Sequence, residues 1–120
     1  MLVDDRMLNL ARLLDVATLR ARVHAENIAH QNTPGYRARA VRFADEFARV
    51  QALRGDAAAR TVEPEVIEPR TTAVDNDGND VSVDREVTLA AKNAMRYNAC
   101  ISLLRGKHQL LNMSINGRRS

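Results

Sequence analysis

The chain has 120 residues, of which 45% are hydrophobic but only 3% aromatic: Tyr36, Tyr97, Phe43 and Phe47, with no Trp. Aromatics supply the largest buried areas per residue, so this composition favours an elongated helical protein with seams of Leu, Val, Ile, Met and Ala over a thick globular core. The net charge of +3 is unevenly divided, with +3 over residues 1–44, −6 over 45–84 and +6 over 85–120; 16 of the 18 basic residues are Arg, which suits fixed bidentate pairing with carboxylates.

The opening MLVDDRMLNL carries Asp4 and Asp5 and no uninterrupted apolar run. It reads as neither a cleavable secretory signal nor a membrane span, so export would need a route that ignores such signals. Apolar positions then recur at alternating steps of three and four: Met7, Leu10, Leu14, Ala17, Ala21, His24 and Ile28. This is a heptad seam interrupted only by His24. Val3, Leu13, Val16 and Val23 widen the stripe, and Asp4 and Asp5 suit the positive end of a helix dipole. The pattern predicts a helix from about residue 4 to about 31.

That helix must stop at Thr33-Pro34-Gly35-Tyr36. Pro34 pushes Thr33 out of the helical region and has no N–H to continue the ladder. Pro followed by Gly suits the two central positions of a type II turn, where Gly takes a positive φ cheaply. Asn27 and Asn32 are candidates to bond the loose backbone groups around the stop.

In the middle the periodicity dissolves. Residues 37–54 have weak helical character, with Phe43 and Phe47 four apart. TVEPEVIEP alternates like a strand, but Pro64 and Pro69 confine it to an edge or an extended segment, and TTAVDNDGNDVS reads as loop. Some 25 residues of poorly structured chain are odd inside a compact domain and natural in a subunit that folds against neighbours.

A second, longer seam follows: Val87, Ala90, Ala94, Tyr97, Ile101, Leu104, His108, Leu111 and Ile115. Ser82 or Asp84 is the candidate N-cap, and Gly117 the candidate C′ residue, with Arg118 and Arg119 beyond it. Gly106 costs such a helix about 1 kcal/mol relative to Ala, and permits close packing or a bend. The fold class is therefore mainly α: long N- and C-terminal helices packed as an antiparallel coiled coil, with a short irregular, β-poor middle segment. The divisions fall at residues 1–36, 37–81 and 82–120, together one structural domain.

Catalytic signals are absent. Phosphate loops, GxSxG and Cys/His dyad patterns do not occur, and the single cysteine, Cys100, excludes an internal disulfide and reads as a small packed side chain. His24, His30 and His108 lack ligand spacing; with the helix ends aligned, His24 would fall near Tyr97 and Asn98. Asp75, Asp77 and Asp80 around Gly78 lack the EF-hand spacing and its terminal Glu. No cofactor, metal or catalytic residue is expected.

The segment NIAHQNTPGY resembles the N-terminal signature of the bacterial flagellar rod and hook protein family: Asn, aliphatic, Ala, Asn, two variable residues, then Thr-Pro-Gly-Tyr or Phe. Asn27, Ile28, Ala29, Thr33, Pro34, Gly35 and Tyr36 match it, and His30 stands where the family has Asn. YRARAVRF, DGNDVSVDRE and NAMRYNACISLL, with the short chain, look like the proximal rod branch of that family. The resemblance covers roughly residues 10–43 and 76–117.

This resemblance implies a structural subunit and no enzyme. It would be exported by the flagellar type III apparatus without a cleaved signal and would polymerise in the periplasm-spanning rod of the basal body. Its neighbours would be other copies of itself, other rod proteins, the adaptor FliE and the membrane ring protein FliF, with no nucleic acid and no direct membrane insertion. Independently of the resemblance, leaving Met7, Val23, Leu103, Leu110 and Met113 partly exposed would make a sticky surface, covered when copies stack head to tail. The heptads alone also permit a cytoplasmic coiled-coil adaptor, and the pI near 9.6 a small basic nucleic-acid-binding protein. Against the latter, the basic residues are spread around the helices and the middle is acidic.

Overall fold

The computed structural model describes residues 5–119, with side chains through Gly117. Val3 and Asp4, and the side chains of Arg118 and Arg119, on which the sequence reading places expectations, lie outside the described residues. The elements are α1 (Asp5–Ala29), β1 (Ala40–Arg42), α2 (Ala44–Arg54), α3 (Asp56–Ala59), β2 (Glu65–Ile67) and α4 (Val83–Arg119). The molecule is an elongated body of 69 × 27 × 15 Å, as its aromatic-poor composition predicts.

The two long helices lie antiparallel along each other. Glu86 meets His24, Asn93 meets Ala17, and Leu104 lies beside Met7. At 1.5 Å per residue, α1 is about 37 Å long and α4 about 55 Å. Because Met7 is level with Leu104 and His108, residues 109–119 run roughly 16 Å past the described start of α1. On this overhang and just before it, Leu103, Leu110 and Met113 are 58–68% exposed. Ser82 caps α4: its carbonyl accepts from Glu86 N–H at 2.9 Å and its hydroxyl faces Arg85 N–H at 3.4 Å. The far end departs from expectation, since the helix passes through Gly117 to Arg119. A single Gly costs a helix only about 1 kcal/mol and does not force a stop.

The interhelical seam also differs in detail. Ala17 and His24 are buried; Met7, Leu10, Leu14 and Ile28 are half-buried, and Ala21 is exposed. On α4, Ala90, Ile101, Leu104, Leu111 and Ile115 are half-buried, whereas Val87, Ala94, Tyr97 and His108 are exposed. The positions that α4 buries in its first half are Glu86 and Asn93. A count of apolar residues passes over them, because their burial depends on specific polar partners across the seam. Val23, expected to be partly exposed, is buried.

The middle is small and β-poor, yet more ordered than the broken periodicity predicts. β1 and β2 form a two-stranded antiparallel sheet with Val41 opposite Val66, in agreement with the alternation around Val66. α2 and α3 fold back onto α1. Val16, Phe43, Phe47, Ala59 and Val62 form a buried cluster, with the two Phe rings 5.2 Å apart. Polar contacts fasten it: Asn9 Nδ2 donates to Asp56 Oδ1 at 2.9 Å and Arg12 Nη2 to Val62 O at 2.6 Å. The Arg12 guanidinium also lies 5.9 Å from the Phe43 ring centre, a cation–π distance.

Candidate functional site

The two segments that carry the sequence signatures meet in space, at the end of the molecule where α1 stops. There the last turn tightens, with His30 N–H donating to both Glu26 O and Asn27 O, before the chain reverses at Thr33–Tyr36. Tyr36 N–H donates to Thr33 O at 3.2 Å, and Gly35 sits at φ +75°. Those are the features of the type II turn that Pro34-Gly35 predicts.

The loop of residues 75–81 closes over this turn. It is folded on itself by Gly78 N–H to Asp75 O and Asp75 N–H to Asn79 O. Gly35 N–H donates to Asp77 O at 2.8 Å, and Asp80 N–H to Tyr36 O at 3.3 Å. The buried Asn79 amide donates to both His30 O and Thr33 O at 2.8 Å, and its Oδ1 accepts from Val81 N–H. Asn79 thereby gives a second donor to two carbonyls of the turn that ends the helix. Buried Asp80 accepts from Ala38 N–H at 2.5 Å and faces Arg37 at 3.4 Å.

Asn27 fixes the direction in which the chain leaves. Fully buried, it donates to Arg39 O at 2.8 Å and accepts from Arg39 N–H at 2.9 Å, imitating a strand partner. Its Oδ1 also accepts from Tyr36 O–H at 3.1 Å. Burial pushes the Tyr36 phenol above its ordinary pKa, against the opposing pull of Arg39. His30 stacks on the Tyr36 ring, centroids 4.4 Å apart, and faces the Thr33 hydroxyl at 3.1 Å. Ile28 is half-buried, while Ala29, Thr33, Pro34 and Gly35 are exposed. Asn32 is exposed and has no side-chain hydrogen bond among the described residues; the capping role falls to Asn79 from the other half of the chain.

Below the clasp, His24 Nδ1 lies 2.7 Å from Glu86 Oε2 with both side chains buried. This replaces the expected approach of His24 to Tyr97 and Asn98, which line a groove with Ala17, Thr18 and Ala21 farther down α1. The expectation aligned the helix ends; instead the clasp sets α4 against the C-terminal end of α1, and α4 runs past the described start of α1 at the opposite end. Asn93 Nδ2 donates to Ala17 O at 2.8 Å. His108 is exposed and Cys100 half-buried. Sequence reading places Asn79 and Asp80 in a loop and gives Glu86 and Asn93 no role across the seam; only the clustering of Asp and Asn before the second helix hints at the first two.

No family model matches the chain. Individual proteins do: it is 30% identical to the flagellar basal body rod protein FlgB of Bacillus subtilis, over 91% of this chain and 92% of that one. It is 33% identical to FlgB of Escherichia coli, over 78% and 80% respectively. FlgB of Aeromonas hydrophila is 27% identical over 88% of this chain and 89% of its own. A shared sequence across nearly the whole length includes both halves of the clasp, and the chain belongs to the FlgB family of flagellar basal body rod proteins.

Proposed function

We propose that this protein is a structural subunit of the proximal rod of the flagellar basal body. It polymerises there through α1 and α4 and helps to form the drive shaft and the export channel within it. The observation that carries this reading is the similarity to FlgB proteins across 80–92% of their length.

The form of the monomer supports assembly through its helices. Leu103, Leu110 and Met113 are exposed on α4, which runs past the described start of α1, and apolar groups at such spacing on one helix face are natural contacts for another subunit. A Cβ on Gly106 would meet nothing within 4 Å among the described residues, which leaves room for a close approach between chains. The seams of α1 and α4 are the assembly surfaces in this reading, and the Asn27–Tyr36 motif, closed by residues 75–81, holds them in register. Neighbours are other copies, other rod proteins, the FliE adaptor and the FliF ring, reached through the type III export apparatus. The role involves neither nucleic acid nor membrane insertion; no helix among the described residues is long and apolar enough to cross a membrane.

Deleting the gene tests the reading. The expected result is non-swimming cells whose basal bodies lack rods, restored by the gene in trans. Deleted cells that swim and retain complete rods would overturn it.

A further inference from the structure

The charges within the acidic middle are not equally available. Glu63 pairs with Arg12 at 2.9 Å, Glu65 with Arg42 at 2.8 Å and Glu68 with Arg70 at 3.4 Å. Those glutamates are matched inside the chain. Asp75 and Asp77 are different: both are exposed at the tip of the clasp loop, and neither is within ion-pair distance of a cation among the described residues.

The complementary surplus lies on the flank of the two long helices. Arg20 of α1 and Lys92 and Arg96 of α4 line one cleft, floored by Val41, and none has a carboxylate partner among the described residues. Arg20 is held by a 3.4 Å contact from Nη2 to Val41 O. Its guanidinium is less readily kept protonated than usual because it is partly buried and faces Arg96. Arg20 and Arg96 repel each other, and a carboxylate bound in the cleft they line with Lys92 would relieve that repulsion.

We propose that the cleft framed by Arg20, Lys92 and Arg96 receives the Asp75/Asp77 tip of a second copy of this chain. The inference rests on the self-assembly reading above and gives it a specific contact. Tip and cleft are different surfaces separated along the molecule's length. One copy's tip in the next copy's cleft is therefore a head-to-side contact, of the heterologous kind that builds filaments when its rotation does not close. Such pairs steer and orient partners more than they bind them, a suitable complement to the apolar face of α4.

The test is a charge exchange on the full chain, with association followed by sedimentation at low salt. Asp75→Lys with Asp77→Lys, and separately Lys92→Glu with Arg96→Glu, alter only exposed side chains, and circular dichroism melting confirms that each pair of changes leaves the fold intact. Each variant alone is expected to associate about tenfold more weakly than the original. An equimolar mixture should recover association, because each reversed surface then meets an opposite charge. Loss in the single variants without recovery in the mixture overturns the contact. Equal behaviour of all three proteins overturns it too: if all associate, assembly through the helices stands without it, and if all stay monomeric, the self-assembly reading falls as well.

Discussion

Gly35 and Gly78 face each other across the clasp, so that a Cβ built on Gly78 would lie 3.4 Å from the Gly35 Cα. That distance is an ordinary contact, so space alone would admit an alanine. The backbone would not: φ is +75° at Gly35 and +81° at Gly78, a region that costs an L side chain about 1–2 kcal/mol. Gly35→Ala and Gly78→Ala should each lower stability by roughly 1–2 kcal/mol in urea titrations. The pair should cost less than the sum, because once the turn has shifted the loop no longer seats on it. Strict additivity would show that the two turns are independent.

Asn79 should be the most sensitive residue of the clasp. Replacing it by Ala removes one of the two donors to His30 O and to Thr33 O, and leaves Val81 N–H without its side-chain partner. A hydrogen bond contributes about 0.5–1.5 kcal/mol and a stranded buried donor costs about 1–3 kcal/mol, so Asn79→Ala should lose roughly 2–4 kcal/mol. Asn79→Asp should be no better, since a carboxylate oxygen would replace the donating amide and face two carbonyl oxygens that repel it. A urea midpoint for Asn79→Asp equal to that of the original would contradict this assignment.

The buried pair of His24 and Glu86 predicts strong coupling between the helices. Removing one partner leaves the other's polar group unsatisfied in the seam, at about 1–3 kcal/mol for a buried group. His24→Ala and Glu86→Ala should each be costly, and the double variant should be far less harmful than their sum. A double-mutant cycle with no coupling energy would place the two groups in separate environments.

Tyr36 supplies a pH dependence. Burial raises its folded pKa above the ordinary value of about 10, so the folded state holds the phenolic proton more tightly than the unfolded one. The corresponding stability is complete below about pH 10 and is lost as pH rises through the folded value. A phenolate also cannot donate to Asn27 Oδ1. Urea midpoints between pH 9 and 11 should therefore fall more for the original chain than for Tyr36→Phe; parallel falls would contradict it.

Much of this architecture is legible in the sequence, for definite reasons. The extent of α1 follows from the Met7–Ile28 periodicity, the turn from Pro34-Gly35, the start of α4 from Ser82, and the extended strand from the alternation around Val66. The register between the helices is not legible. It is set by His24–Glu86, Asn93–Ala17 and the reach of Asn79 across 49 and 46 residues, and polar side chains do not announce in the sequence which will be buried. α2 shows in the sequence only as the weak helical character of residues 37–54, and α3 not at all, for a related reason. Their own apolar pattern is weak, and they are helical because Phe47 and Ala59 pack on Val16.

The central claim is that the exposed face of α4 is an assembly surface rather than an unfinished core. Replacing Leu103, Leu110 and Met113 together by Gln tests it most directly, since exposed substitutions ordinarily change stability by no more than about 0.5 kcal/mol each. The account predicts a chain that melts like the original yet fails to restore rods and swimming to a strain lacking the gene. Normal rods and normal swimming with all three residues replaced would contradict it.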